Sequence, residues 1–294
     1  MTTLATNYPT NASVLLSKPK LNIELLVKVK LPPMKSTVLR LMELLRDQDV
    51  MTATLAETVR YDPILATRVL RLANSALYSL RKPVTTIQKA LDAIGTRSLY
   101  DLVMLDAMAD GFGNEIRNSV LIKSIWEHSI AVGLLSREIS KMLKLQGSEE
   151  AFVCGLIHDI GKILMLRADV ERFESLLEHR SEHDMLEWED KIYGFDHTEV
   201  GAYVANKWRL PDAVCSVIMH HHNPSHSPHS VVMANVVNAA DLIANVHGYG
   251  LRLEEETALL ISEPIALLKL TRPQINEAWE NIQKAISDVT KLLK

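Results

Sequence analysis

A chain of 294 residues, 47% apolar and 23% charged, has enough material for one large core or two modest ones and is too apolar to stay disordered. A net charge of −4, with no Lys/Arg block, excludes a general nucleic-acid binder. Eleven glycines, eleven prolines and 5% aromatics favour long helices over many short strands, and two cysteines, Cys154 and Cys215, are too few for a disulfide framework.

Residues 1–30 read as a Thr/Asn-rich leader with one short strand or helix around Leu21 to Val29. They lack the basic start and apolar core of a secretory signal. Leu31-Pro32-Pro33 is a stop, because two prolines exclude a continuing helix. Ser36 or Thr37 caps the next helix, and Thr52 the one after it. Asp62-Pro63 opens another, with Asp as N-cap and Pro at the first helical position. That helix runs into Asn74-Ser75, which caps it. Thr85 or Thr86 starts a helix closed by Gly95, and Thr96 starts the next, ended by Gly111 and Gly113.

Longer amphipathic stretches then cover about 116–145, 149–167, 169–179, 183–193, 197–208, 212–222 and 230–247. One more helix follows Pro273, with Ile275, Ala278, Trp279 and Ile282 inward. No sustained period-2 alternation marks a sheet. The fold class is all-α. The pattern divides the chain into a leader (1–30), an N-terminal helical subdomain (31–115), a second helical subdomain (116–250) packed against it, and a C-terminal extension (251–294). Val231 to Val246, the most apolar stretch, is broken by Asn235, Asn238, Asp241 and Asn245, so no membrane span is expected. Reduced thiols and the missing signal point to the cytoplasm.

Eleven histidines are the unusual feature, five of them between His220 and His229. In Leu156-Ile157-His158-Asp159-Ile160-Gly161-Lys162, a histidine and an acid interrupt an apolar run. A buried, unpaired carboxylate costs several kcal/mol, so a positive group should sit against Asp159. One helix edge can offer an imidazole nitrogen and a carboxylate oxygen to one cation. Gly161 permits a close backbone or ligand approach, and Lys162, one turn on, can meet a phosphate. A helix cap or a His–Asp hydrogen bond explains the dipeptide equally well. His128 lies in an apolar helix, where a satisfied core histidine is the plainer reading. His197 follows Asp196, which can form a capping box with Glu199. His220-His221-His222 suits a helix C-terminus. Asp241 falls in an apolar helix and needs a partner. His179, His183, His226, His229 and His247 read as surface residues. Nitrogen and carboxylate donors without thiolate suit one or two divalent ions of Fe, Mn, Ni, Co or Zn.

In this order, His128, His158 with Asp159, and Asp241 resemble the metal ligands of the HD superfamily of metal-dependent phosphohydrolases. His197, His221 and His222 resemble the second-metal ligands of its HD-GYP branch, and Lys162 the lysine that follows the His-Asp pair. Leu31-Pro32-Pro33, Asp62-Pro63-Ile64-Leu65, Leu70 to Ser75, Ala90 to Gly95, Trp126-Glu127-His128-Ser129, Asp196 to Gly201 and Trp208-Arg209-Leu210-Pro211 resemble the narrower HDOD family over about residues 31–247. Asn223-Pro224-Ser225-His226 lacks the Gly-Tyr-Pro signature, so cyclic-di-GMP is not carried over as a substrate.

The resemblance implies a bacterial signal-transduction or regulatory protein with a protein partner and an HD-type, dinuclear metal site. The alternative is an active phosphohydrolase acting on a phosphoester or nucleotide. There Asp159 bridges two ions, His128, His158 and Asp241 complete one site, His197, His221 and His222 complete the other, and Lys162 stabilises phosphate charge.

Overall fold

The computed structural model describes residues 19–31, 35–45, 47, 49–74, 82–178, 185–251 and 254–292. Residues 1–18, the Pro32-Pro33 stop, Ser75, His179 and His183 lie outside them. Every regular element among the described residues is helical. The chain packs as two compact units, one of Met1–Leu31 and His158–Val231, the other of Pro32–Ile157 and Val232–Lys294. The sequence boundaries near 30, 115 and 250 mark changes of pattern along the chain, whereas these units mark changes of packing in space.

In the second unit, α2 (Ser36–Leu44), α3 (Thr52–Arg60) and α4 (Pro63–Ala73) pack with α5 (Ile87–Asn118). Ser36 and Thr52 are first helical residues rather than caps; Lys35 and Met51 take the cap positions without a side-chain bond. Asp62 does cap α4, accepting from the Ile64 and Leu65 amides, with Pro63 in the first turn. Asn74 does more than cap. Its amide donates to the Leu70 and Val84 carbonyls, and its carbonyl accepts from the Val84 amide at 2.7 Å. The two helices expected on either side of Gly95 form one helical run broken at that glycine (φ 79°), and the run passes Gly111 and Gly113 to reach Asn118.

α6 (Val120–Met142) is buried along most of its length and packs on α7 (Ser148–Ile157). Fully burying one Leu- or Ile-sized side chain contributes about 1.5–3 kcal/mol, and α6 buries Ile122, Ile125, Ile130, Leu134, Leu135 and Ile139. The apolar α13 (Val231–Val246) is followed by α14 (Glu256–Ile261), α15 (Glu263–Leu267) and α16 (Arg272–Leu292), which packs on α6. Ile275, Ala278, Trp279 and Ile282 of α16 are buried, as its periodicity predicts. Two acids within this unit are matched by arginines: Asp106 by Arg68, and Asp101 by Arg137 at 2.7 Å.

The first unit holds α1 (Ile23–Lys30), α8 (Ile160–Ala168), α9 (Val170–Glu178), α10 (Met185–Tyr193), α11 (His197–Lys207) and α12 (Asp212–His220). α11 packs on both α8 and α12. Asp196 caps α11 and forms the expected capping box with Glu199. Cys154 is buried, and Cys215 is half-buried. No described helix is long and apolar enough to cross a membrane.

Candidate metal centre

The stretch expected to run as one helix over 149–167 is interrupted. His158 and Asp159 form a turn between α7 and α8. Asp159 occupies the N-cap position of α8 but makes no side-chain cap bond. Its carboxylate is engaged elsewhere. Oδ2 accepts from the Lys162 ammonium at 2.8 Å, and Oδ1 lies 3.3 Å from His197 Nε2 and 3.8 Å from His221 Nε2. The positive partner that a buried acid requires is therefore Lys162, itself 5% exposed. Freed from a continuous helix, Asp159 faces α11 and the residues after α12.

α8 and α11 approach closely at Gly161. A Cβ there would run into the His197 carbonyl and lie 2.8 Å from its carbon, so only glycine fits. The close approach foreseen for Gly161 is thus one of backbone on backbone. It places His197, the first residue of α11, beside Asp159. α12 ends at His220, so His221 takes the C-cap position and His222 follows it. One ligand atom each from Asp159, His197, His221 and His222 lies within 4.8 Å of the others.

The outward faces of these rings are fixed. His197 Nδ1 donates to Glu189 Oε2 at 2.6 Å, and the His197 amide donates to the same oxygen at 2.8 Å. Glu189 is wholly buried on α10. His221 Nδ1 donates to the Ile218 carbonyl at 2.7 Å. Both imidazoles therefore turn Nε2 toward Asp159. His197 Nε2 also lies 3.1 Å from His222 Nε2. Lone pairs converging on one place repel unless a proton or a cation stands between them.

The two buried rings resolve this differently. Burial lowers the basicity of His197, but Glu189 more than reverses that, and the net shift is upward. Burial and the neighbouring His222, His158 and His197 rings push His221 well below 6.5. Three imidazole nitrogens and one carboxylate oxygen, two of the rings oriented from behind, fit a divalent transition-metal ion. His158, also fully buried, lies 3.5 Å from Asp159 Oδ2 and meets His221 edge-on at 4.9 Å.

A second donor pair forms within the other unit. His128 on α6 donates through Nδ1 to the Tyr249 carbonyl at 2.7 Å and turns Nε2 to Asp241 Oδ1 of α13 at 3.0 Å. Asn245, one turn on, donates to the same oxygen at 2.9 Å. An imidazole nitrogen without its proton and a carboxylate oxygen at that distance call for a proton or a cation between them.

Glu189, Asn245 and the Tyr249 carbonyl escape sequence reasoning. Glu189 sits in the charged run Glu187-Trp188-Glu189-Asp190-Lys191 and looks like a solvated face. The Asn–Asp spacing of 241 and 245 was visible, but its use was not. His226 and His229 are exposed as read. His247, read as a surface residue, is half-buried and stacks on Trp279 at 4.1 Å.

Residues 31–224 match the HDOD domain family. The chain belongs to the HDOD family. An uncharacterised protein of Treponema pallidum (strain Nichols) is 26% identical over 202 residues, covering 67% of this HDOD chain, which spans only 39% of that relative's length. Among solved structures, a Shewanella amazonensis SB2B protein named as a candidate phosphohydrolase is 24% identical, with a TM-score of 0.73 over 92% of this chain and 98% of that one. An HDOD domain protein of unknown function from Geobacter sulfurreducens is 21% identical, with a TM-score of 0.72 over 92% and 96%. A candidate signal transduction protein from Marinobacter aquaeolei VT8 is 21% identical, with a TM-score of 0.68 over 96% and 63%. These likenesses establish a shared helical fold. The family match stops before Asp241, so that residue rests on the wider HD pattern.

Proposed function

We propose that this HDOD chain is a cytoplasmic regulatory module of bacterial signal transduction. It holds a divalent ion at Asp159, His197, His221 and His222 and presents its N-terminal helices, within 31–115, to a protein partner. The observation that carries the metal reading is the convergence of those four donors, with Glu189 and the Ile218 carbonyl turning two of the rings inward. The regulatory part is supported by the name of the Marinobacter relative and by the absence of any recognisable substrate motif in the sequence. The HD pattern further implies His128, His158 and Asp241 as ligands of a second ion, with Asp159 shared, which would make the centre dinuclear.

A second reading is a metal-dependent phosphohydrolase acting on a phosphoester or nucleotide. What favours it is Lys162, an ammonium held beside the candidate ligand Asp159. A bound ion would supply Lewis-acid polarisation and a water of lowered pKa. The chain's own part is to hold Asp159 ionised against Lys162, to keep His197 in one orientation through Glu189, and to offer the Lys162 charge to a phosphate.

The test is elemental analysis of protein purified without chelators, for wild type and Asp159→Ala, paired with phosphomonoesterase and phosphodiesterase assays. Wild type should carry Fe, Mn, Ni, Co or Zn, and Asp159→Ala should carry none. Metal-loaded protein inert across the substrate panel supports the regulatory module; turnover lost in the variant supports the hydrolase. Full metal occupancy in Asp159→Ala would overturn both.

A further inference from the structure

The C-terminal segment lies outside the family match, and the HD pattern gives it no role. In the structure it reaches the His128–Asp241 pair. α13 carries Asp241 and ends at Val246, about one and a half turns later. The His247 amide bonds back to Ile243, the Gly248 amide to Asn245 and the Tyr249 amide to Ala244 at 2.9 Å. Gly248 takes φ +83°, a left-handed conformation that glycine adopts without strain. This turn folds the chain back so that the Tyr249 carbonyl faces His128. One helix therefore serves both sides of the imidazole: its body brings Asp241 to Nε2, and its reversed end brings Tyr249 to Nδ1.

α16 braces that reversed end. The Trp279 indole stacks on His247 with ring centroids 4.1 Å apart and planes 26° apart, and it meets Tyr249 edge-on at 5.5 Å. His247 is held from its other side, with Nδ1 donating to the Ile243 carbonyl at 2.9 Å. Trp279 is 7% exposed and sits in the buried face of α16, which packs on α6, the helix that bears His128. A single indole thus contacts both aromatic residues that flank Gly248.

We infer that Trp279 is a positioning residue for His128: by clamping His247 and Tyr249 it holds the carbonyl that fixes the orientation of the His128 ring, so the C-terminal extension sets the metal affinity at His128. The metal part rests on the reading above; the ring orientation does not. Groups that orient a ligating histidine typically alter metal affinity about 10–100-fold when removed.

The experiment uses the full chain with ¹⁵N-labelled histidine. In metal-free protein, NMR follows the hydrogen-bonded Nδ1–H of His128. A titration with diamagnetic Zn(II) then follows the ¹⁵N shift of His128 Nε2, which moves on direct ligation. Trp279→Ala should lose the protected Nδ1–H and need about tenfold more Zn(II) or beyond for an equal Nε2 shift. Trp279→Phe, which keeps a ring in the clamp, should restore both. Ile286→Ala, which opens a cavity under the same helix, should lower the melting temperature and leave both unchanged. A retained Nδ1–H in Trp279→Ala, or its equal loss in Ile286→Ala, overturns the inference. Should Zn(II) leave the wild-type His128 Nε2 shift untouched while Trp279→Ala still frees its Nδ1–H, the metal reading fails there and the positioning role stands.

Discussion

Asp159, His197, His221 and His222 come from helix ends: a cap position, a first residue, a C-cap and the residue after it. His128 and Asp241 come from the interiors of two apolar helices in the other unit. At helix ends the backbone is free to turn, so four donors from a short stretch of chain can crowd together. In helix interiors the spacing is rigid, and what adjusts is the orientation of each side chain. The back-up groups differ less. A backbone carbonyl orients one ring in each set, His221 in the first and His128 in the second, but only the helix-end set has a ring, His197, backed by a buried carboxylate. A carboxylate behind the ring also strengthens it as a donor, and a carbonyl does so less.

That contrast can be broken most directly at Gly161. Gly161→Ala forces a methyl into the His197 carbonyl, so α8 and α11 must separate. The expected cost is at least the ~1–3 kcal/mol of an overpacked core, read in urea unfolding. Metal at the four-donor group should be lost, read by elemental analysis. Undiminished metal in Gly161→Ala would mean that the close approach of α8 and α11 does not position His197.

Glu189→Gln sharpens the comparison by weakening one back-up group alone. It should lower metal affinity about 10–100-fold, measured by competition with a chromogenic chelator, with little change in far-UV circular dichroism. An unchanged affinity would mean that the carboxylate only supports the fold.

The pH dependence should be smaller still. His221 is held well below 6.5 when folded, so the unfolded chain takes up that proton first. Its contribution to stability is full above 6.5 and is lost as pH falls from 6.5 toward the folded value. His197 has the opposite sign: its folded value is raised, so its contribution is full below 6.5 and fades as pH rises through that raised value. Metal-free stability should therefore peak near pH 6.5 and fall on both sides, in acid through His221 and at higher pH through His197, read from urea unfolding at several pH values. Metal affinity should fall in acid by about tenfold per pH unit for each proton that ligation displaces, read from titrations at several pH values.

Much of this was legible in the sequence, for physical reasons that differ by residue. Asp62-Pro63 and Asp196-His197-Thr198-Glu199 announce helix starts because capping is local chemistry, complete within four residues. The apolar stripe of Ile275, Ala278, Trp279 and Ile282 announces a buried face because periodicity survives tertiary packing. Asp159 stood out as an acid in an apolar run, and His197, His221 and His222 through their resemblance to the HD-GYP ligands; the structure brings the donor atoms of all four together. The break at His158-Asp159 was not legible. Ile157 and Ile160 continue the apolar pattern, and the turn depends on partners from distant elements. Glu189 was hidden for the converse reason. Burial is what makes a carboxylate significant, and nothing in a charged stretch tells which acid turns inward. Lys162, read as a phosphate group's partner, turns first to Asp159, three residues away, because a buried carboxylate is the nearer charge.

The Tyr249 carbonyl that holds His128 lies 121 residues further along the chain, whereas Glu189 precedes His197 by only eight. A contact eight residues apart closes quickly and at small entropic cost, while a long-range one waits on much more of the chain. During synthesis the ribosome has delivered Asp159, His197, His221 and His222 before Asp241, and His128 has no acceptor for its Nδ1–H from Tyr249 until residue 249 emerges. The four-donor group can thus be complete while the His128–Asp241 pair still waits for residues 241 and 249 to emerge.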